Sequence, residues 1–152
     1  MKIEQRLADL GITLPPSGRP AGTYVRARRS GNLIHISGTG PAAGIKAHRG
    51  KYGQDLAAED GYEAARTAGL QILADLKNAV GDLDRVKGVV RSLGMVNAVP
   101  EFTDHIRIMN GCSDLFVQVF GEEAGKGARS TVGMGSLPGN ISIEIEMTFE
   151  VE

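Results

Sequence analysis

The chain has 152 residues, 41% of them hydrophobic, and is long enough to bury one core. Its 17 basic and 18 acidic side chains nearly cancel and are interspersed, and it lacks tryptophan, which argues against a nucleic-acid surface. One cysteine, Cys112, excludes an intramolecular disulfide, and no apolar run approaches the ~18 residues of a membrane span. We therefore expect a single cytoplasmic domain over residues 1–152, neither secreted nor membrane-inserted, with Cys112 as a core thiol.

The first part of the chain predicts a short helix and then an extended connector. Ile3, Leu7 and Leu10 recur at helical intervals and are followed by Gly11, a residue typical of a helix end. The proline-rich stretch 14–20 cannot continue a helix. Residues 1–21 are therefore interpreted as an N-terminal helical and proline-rich extension of the domain.

A β-hairpin and a long loop follow the extension. Residues 23–29 and 33–37 read as two strands joined by a turn at 30–32. Residues 38–53 are rich in glycine and alanine, show no sustained period and are predicted to form a loop.

Two amphipathic helices flank a strand in the middle of the chain. Apolar residues recur at three and four over 56–80, which predicts a core-facing helix ended by Gly81. A β-rich run over 86–96 comes next. Pro100 is then expected to open a second helix, closed by Gly121. The apolar stripe of this helix is expected to be Phe102, Ile106, Met109, Cys112, Phe116 and Phe120.

The last two predicted strands cover residues 128–132 and 141–152. From Ile141 onward apolar and polar residues alternate strictly, as in a long strand with two unlike faces. If these strands pair across the turn 137–140, Arg129, Thr131 and Glu144 come within reach of one another. The order β-β-α-β-α-β-β predicts an α+β domain, with both long helices on one face of a mixed sheet. The second face then needs another cover, which predicts oligomerisation through the sheet.

The sequence gives only weak signals for a nucleotide site, a metal site or a serine nucleophile. Residues 37–43 imitate the glycine fingerprint of dinucleotide-binding folds, but no helix is predicted to start in that turn. Gly38 and Gly40 are better explained by a backbone that must approach something closely. The three histidines have no metal-ligand spacing, so no metal site is expected. The serines at 37 and 130 lack a histidine and acid partner at a recognisable spacing.

Arg129 and Glu144 are the stronger candidates for chemistry. An arginine at the start of a strand is usually solvated or ion-paired, and a glutamate on a polar strand face is usually exposed. A planar guanidinium can, however, hold a carboxylate by two parallel hydrogen bonds. A neighbouring carboxylate and the Thr131 hydroxyl could position water or carry a proton. The grouping therefore indicates a site for a small organic acid.

A set of short motifs in consistent order resembles the RidA/YjgF family, also called endoribonuclease L-PSP, from about Gly22 to Glu150. The motifs are Gly22-Thr23-Tyr24, residues 32–38, Asn110 within Ile108-Met109-Asn110-Gly111, Ala128-Arg129-Ser130, Leu137-Pro138 and Ile143-Glu144-Ile145-Glu146. The resemblance implies a chorismate-mutase-like fold of the bacillus type, a homotrimer, and a site in each cleft between subunits.

The resemblance also implies an activity and a set of site residues. Active members hydrolyse enamine and imine intermediates such as 2-aminoacrylate to 2-keto acids and ammonia, without a cofactor. By analogy with this 2-iminobutanoate/2-iminopropanoate deaminase chemistry, Arg129 would clamp the substrate carboxylate and Glu144 would orient or activate water. The residues expected to line the pocket and bind substrate are Tyr24, Ser37, Gly38, Asn110 and Thr131.

The chain also departs from the familiar family pattern. Thr131 stands where many members have cysteine and Thr39 where they often have glutamine, and the loop 121–128 looks slightly longer. Threonine removes thiol chemistry, which leaves open a protein that binds or senses a carboxylate metabolite without turnover. A third alternative, ribonuclease activity, is least favoured because the chain has no basic stripe.

Overall fold

The computed structural model describes residues 2–152, which build a five-stranded mixed sheet with two long helices on one face. This architecture confirms the predicted α+β fold and the predicted order of its elements. A short helix, α1, spans Lys2–Asp9. The strands are β1 (Ala27–Ser30), β2 (Leu33–Thr39), β3 (Val86–Asn97), β4 (Ala128–Met134) and β5 (Ile143–Val151), and the long helices are α2 (Gly61–Val80) and α3 (His105–Gly125).

The N-terminal predictions hold in outline. Helix α1 ends just before Gly11, whose φ of +68° belongs to the left-handed region that glycine adopts without steric cost. Residues 12–20 then run without regular structure, as their prolines require. Strand β1 begins at Ala27, later than expected, and pairs with β2 across a tight turn in which Gly31 has a φ of +60°.

The two long helices pack closely on each other. A Cβ added at Gly111 in α3 would lie 1.9 Å from the backbone oxygen of Tyr62 in α2, so only glycine allows this approach. Helix α3 starts at His105 rather than near Pro100, and the predicted closure appears as a break at Gly121, where φ is 89°. Ile106 was expected in the buried stripe, but its side chain is 65% exposed at the start of the helix.

The strand order is β1-β2-β5-β3-β4, which corrects the predicted pairing of the last two strands. Strand β4 pairs in parallel with β3, and β5 runs antiparallel between β2 and β3. A parallel pair requires a crossover connection, and α3 supplies it between β3 and β4. The turn 137–140 therefore carries the chain past β3 instead of closing a hairpin. β1 and β4 form the two edges of the sheet.

The alternation predicted for β5 places its apolar residues against the helices. Ile143, Ile145, Met147, Phe149 and Val151 are all buried. Their polar neighbours on the opposite face, which we call the open face, are Glu144, Glu146, Thr148 and Glu150. On β4 the open face also carries Val132, which is 39% exposed. Coverage of this face by further copies of the chain stays a prediction.

Cys112 is fully buried between α3 and the sheet, as its position in an apolar stripe predicted. Burial raises the pKa of its thiol to about 12, although the nearby Arg129 charge acts in the opposite direction. The thiol is therefore a core group rather than a nucleophile. Among residues 2–152 the helices are too short or too polar to cross a membrane.

Candidate functional site

The predicted site residues fall into two clusters within one chain. The first cluster lies at a cavity of about 780 Å³ bounded by residues 13–19, by residues 38–43 at the end of β2 and just after it, and by helix α2. We call residues 13–19 the N-terminal strap and this space the strap cavity. Tyr24, Gly38 and Glu144 all line it. The volume lies within the ~300–1,000 Å³ typical of sites for small molecules.

Glu144 supplies a carboxyl group to the strap cavity from the open face of β5. Burial raises the pKa of this carboxyl, the neighbouring Glu146 raises it further, and Arg26 lowers it to a smaller extent. A carboxyl group with a raised pKa in a cavity is a candidate for exchanging a proton with a bound molecule.

Gly38 fixes where the Glu144 carboxyl can lie. A Cβ at this position would stand 2.7 Å from Oε1 and 2.9 Å from Cδ of Glu144, closer than real side chains approach. Strand β2 is also irregular here, because its register against β5 shifts between Ile36 and Thr39. The absence of a side chain at 38 therefore leaves room for the acid.

Replacing Gly38 with alanine is expected to displace the Glu144 side chain and to lower activity by about 10-fold or more, since displacing a reacting group by ~1 Å costs as much as 10²-fold. Gly135→Ala is the matched control, because a Cβ at Gly135 would meet no atom within 4 Å. Turnover should be measured beside the melting temperature of both variants. Wild-type turnover in a folded Gly38→Ala protein would contradict this role.

A buried ion pair holds the wall of the strap cavity. Arg26 donates from Nε (3.0 Å) and Nη2 (2.9 Å) to Oδ2 of Asp75, which lies in α2 and is 1% exposed. The same guanidinium donates from Nη1 to the carbonyl oxygen of Gly38 (3.0 Å) and from Nη2 to the hydroxyl of Thr39 (2.5 Å). Arg26 therefore connects α2 to the backbone beneath Glu144.

Asp75 also anchors the N-terminal strap. Its Oδ1 accepts hydrogen bonds from the backbone N–H of Gly18 (2.6 Å) and the hydroxyl of Ser17 (3.0 Å). The amide of Gln71 donates to the same oxygen (3.3 Å) and to the carbonyl oxygen of Pro16 (3.0 Å). A carboxylate with this many donors is satisfied despite its burial.

Neither Arg26 nor Asp75 was predicted as part of the site. Arg26 stands beside Arg28 and Arg29 in the sequence, a basic cluster too short to indicate a role for any one of them. A signal did exist for Asp75, because it lies three residues after Ile72 and seven after Ala68 in the buried stripe of α2. An acidic residue at a core position of a helix normally has a buried partner.

The hydroxyl groups of Ser37 and Tyr24 differ in whether they can donate a hydrogen bond to a ligand in the strap cavity. Ser37 donates its hydroxyl to the carbonyl oxygen of Val25 (2.6 Å), so it holds the chain beside Gly38 rather than facing the cavity. The Tyr24 hydroxyl accepts a hydrogen bond from the Ala21 N–H (3.0 Å), and its own proton stays available to a ligand. Tyr24 is 45% exposed at the edge of the cavity.

The second cluster lies in a smaller cavity of about 300 Å³ between α3 and the sheet, which we call the helix cavity. Asn110 and Arg129 both line it. Arg129 Nη1 donates to the Ser113 hydroxyl (2.9 Å), and no carboxylate among residues 2–152 pairs with its guanidinium. Thr131 points to the same side of β4, and its buried hydroxyl oxygen has no hydrogen-bond partner.

One chain does not bring Arg129 and Thr131 together with Glu144. Thr131 is paired with Gly94 on β3, which is paired in turn with Ile145, so Thr131 shares the helix-covered face. Glu144 is paired with Met95 and lies on the open face. The expected grouping within a chain is therefore wrong, because it assumed that β4 and β5 are neighbours.

Comparisons with known proteins match this fold over almost its entire length. The family model described as "YjgF/chorismate_mutase-like, putative endoribonuclease" matches residues 4–148. The chain belongs to this YjgF family. Protein TCP17 of Trypanosoma cruzi is 39% identical to this YjgF chain over 151 residues, which cover 99% of the chain and 94% of the relative.

Two solved structures resemble this YjgF protein closely. Protein Atu1372 of Agrobacterium tumefaciens superposes with a TM-score of 0.87 at 39% identity, covering 99% of this chain and 92% of that one. A "putative endoribonuclease" of Shewanella oneidensis gives a TM-score of 0.92 at 31% identity, covering 99% and 100% of the two chains. In both comparisons the coverage includes the N-terminal extension of this YjgF chain.

Potential metal ligands are not clustered in the part of this YjgF protein that the structure describes. Over the described range 2–152, no group of three or more histidine, cysteine, aspartate or glutamate side chains could hold a metal ion. The side chains that line the two cavities supply carboxyl, guanidinium, amide and hydroxyl groups, together with the His48 imidazole and the Lys126 ammonium group.

Proposed function

We propose that this protein is a cofactor-free hydrolase that deaminates reactive 2-imino and enamine acids, such as 2-aminoacrylate, to 2-keto acids and ammonia. The observation that carries the proposal is the Glu144 carboxyl, whose pKa is raised by burial at the wall of the strap cavity. Membership in the YjgF family supports the proposal at a coarser level.

Glu144 and Arg129 divide the proposed reaction between them. Arg129 binds the substrate carboxylate through its guanidinium, which has no carboxylate partner within residues 2–152. Ionised Glu144 accepts a proton from water as the water oxygen bonds to the imine carbon. Starting from the protonated imine, this step gives a neutral carbinolamine, which takes that proton from Glu144 on its nitrogen. Ammonia leaves as the C–N bond breaks, and the hydroxyl proton passes to Glu144 as the carbonyl forms. Ammonia then carries this proton away as ammonium, which returns Glu144 to its ionised form.

We also propose that the complete site forms between copies of the chain, in a homotrimer. Arg129 lies on β4 and Tyr24 precedes β1, and these strands are the two edges of the sheet. The outer edge of β4 has free backbone N–H and carbonyl groups, which a neighbouring copy could cover. Contact between β4 of one copy and the strap cavity of the next would join the helix cavity to Glu144.

Arg129→Ala is expected to lower kcat/KM for imine hydrolysis by about 10- to 150-fold, because a hydrogen bond to a charged group contributes about 1.5–3 kcal/mol. The assay generates the imine with an amino-acid dehydratase and follows release of the keto acid. Arg107→Ala is the control, since that arginine is exposed on α3 and lines neither cavity. Equal rates in wild type and Arg129→Ala would refute the proposal.

Mixing two variants that are each impaired tests whether the site is shared. If Arg129 and Glu144 act from different copies, refolding Arg129→Ala together with Glu144→Gln should restore about one quarter of the sites, as expected for random assembly of two chains. No recovery in mixed oligomers that form normally would place the whole site within one chain. Tight binding of a keto acid with no detectable hydrolysis would instead favour the sensing alternative.

A further inference from the structure

We infer that the N-terminal strap forms the pocket for the substrate's side chain, and that the protein prefers 2-imino acids with large apolar side chains to the smallest ones. This inference rests on the proposed function and extends it to the class of substrate. It starts from the strap cavity, which is larger than a three-carbon imino acid requires. Its volume of about 780 Å³ approaches the upper part of the range for small-molecule sites.

Hydrogen bonds within the chain hold the strap against α2. Asp75 accepts hydrogen bonds from both Ser17 and Gly18, and Gln71 donates to the carbonyl oxygen of Pro16. Because Asp75 is almost fully buried and also pairs with Arg26, these contacts fix the strap against α2. A wall that is already ordered costs little conformational entropy when a side chain packs on it.

Much of the cavity wall is apolar. The strap contributes Leu14 and Pro15, and α2 contributes Leu70. Pro41, Ala42, Ala43 and Ile141 complete the apolar lining from the loop and the approach to β5. Burying apolar substrate surface against such walls stabilises a complex by roughly 25 cal/mol per Å².

Most polar groups that line the cavity are already engaged by the protein. The Thr67 hydroxyl donates to the Ala64 carbonyl oxygen and accepts from the Ala42 N–H. The Thr39 hydroxyl accepts a hydrogen bond from Arg26, and His48 Nδ1 contacts the Pro41 carbonyl oxygen. These groups therefore offer few hydrogen bonds to a polar substrate side chain.

Two groups that line the cavity can bind the reacting end of the substrate. They are the Glu144 carboxyl and the Tyr24 hydroxyl. Arg19 is exposed on the strap, and no acidic partner pairs with it in the part of the chain that the structure describes. An acidic substrate side chain is the rival class that Arg19 would attract.

The test compares imino acids made in place by a D-amino-acid oxidase with catalase, or by a D-aspartate oxidase for the acidic imine. Oxidation removes the stereocentre, so the product is the same imine as from the L-amino acid, and water then converts it to the keto acid and ammonia. The measured quantity is acceleration over spontaneous hydrolysis for imines derived from alanine, leucine, phenylalanine and glutamate. We expect the leucine and phenylalanine imines to be accelerated about 10-fold more than the alanine imine, as a few buried methylenes allow.

The variant Ala42→Phe should fill the apolar part of the cavity while keeping the backbone N–H that bonds to Thr67. It is expected to lower the leucine-to-alanine ratio of kcat/KM by about 10-fold. Ala79→Phe is the control, because Ala79 is exposed on α2 and does not line the cavity. An unchanged ratio in folded Ala42→Phe protein would overturn the inference.

The outcomes separate this inference from the proposed function. Fastest hydrolysis of the alanine or glutamate imine would overturn the apolar preference and leave the deaminase proposal standing. If no imine is accelerated, calorimetry with phenylpyruvate and pyruvate decides the matter. Tighter binding of phenylpyruvate, weakened by Ala42→Phe, supports the apolar pocket in a protein without turnover, and equal binding of the two keto acids overturns it.

Discussion

Replacing Glu144 with glutamine is expected to lower kcat/KM for imine hydrolysis by on the order of 10²–10⁴-fold, the usual contribution of a positioned acid or base. Glutamine keeps the size of the side chain but cannot accept a proton from water. Glu150→Gln is the matched control, because Glu150 lies on the same face of β5 and does not line the strap cavity. A Glu144→Gln protein with more than half of the wild-type rate would exclude the proposed role.

The pH profile provides a second measure of the same carboxyl. Because burial and Glu146 raise the pKa of Glu144, its ionised form is depleted at mildly acidic pH, and wild-type kcat/KM should fall there. Glu146→Gln removes a like charge, so it should lower the pKa of Glu144 and move the acidic limb to lower pH. If the acidic limb of the pH profile does not move in Glu146→Gln, the limb reports the titration of a group other than Glu144.

Stability should change in the opposite direction to activity. Since the pKa of Glu144 is raised in the folded state, its contribution to stability is fully present below the ordinary carboxyl pKa and is lost as pH rises through the raised value. Glutamine cannot ionise. Glu144→Gln should therefore have a higher melting temperature than wild type at about pH 8, and the difference should shrink towards about pH 4.

Asp75→Asn is expected to reduce the free energy of unfolding by about 3–5 kcal/mol, because it leaves the buried Arg26 guanidinium without its charge partner. The Asp75 side chain is fully buried and that of Arg26 is only 12% exposed, so water can replace little of the lost contact. A typical domain has only about 5–15 kcal/mol of stability, so this variant should be severely weakened. Urea unfolding at neutral pH measures the loss.

Glu63→Gln is the matched control for Asp75→Asn, because Glu63 is exposed on the same helix. Its effect should lie within about 0.5 kcal/mol of zero. A loss below about 1 kcal/mol in Asp75→Asn would show that the ion pair is dispensable, as some buried pairs are. Such a small loss would also argue against the role of Asp75 in anchoring the N-terminal strap to α2.

The sequence predicted the elements better than their arrangement in the sheet. Alternation in β5 and helical spacing in α2 report burial of local side chains, and both predictions hold. The position of β5 between β2 and β3 depends on pairing between distant strands, which no local pattern records. That one missing fact placed Arg129 and Glu144 together in a single chain when the sheet holds them on opposite faces.

The part of the candidate site that could be predicted consists of residues that lie in short sequence motifs. Tyr24, Gly38 and Glu144 do share a cavity, and the close approach expected of Gly38 is its contact with Glu144. The interaction of Arg26 with Asp75 joins residues 49 positions apart and could not be inferred from spacing. Only the presence of an acid in an apolar helical stripe indicated that a buried partner exists.

The division of the proposed pocket between loops and sheet has a consequence for how such proteins diversify. The strap and the loop 40–43 supply most of the apolar wall, whereas Glu144 and Arg129 are carried by strands. Loops accept insertions and substitutions more readily than paired strands do. Selection or engineering could therefore retune which amino-acid skeleton is accepted by rewriting two short surface segments, while the groups that carry out hydrolysis stay untouched.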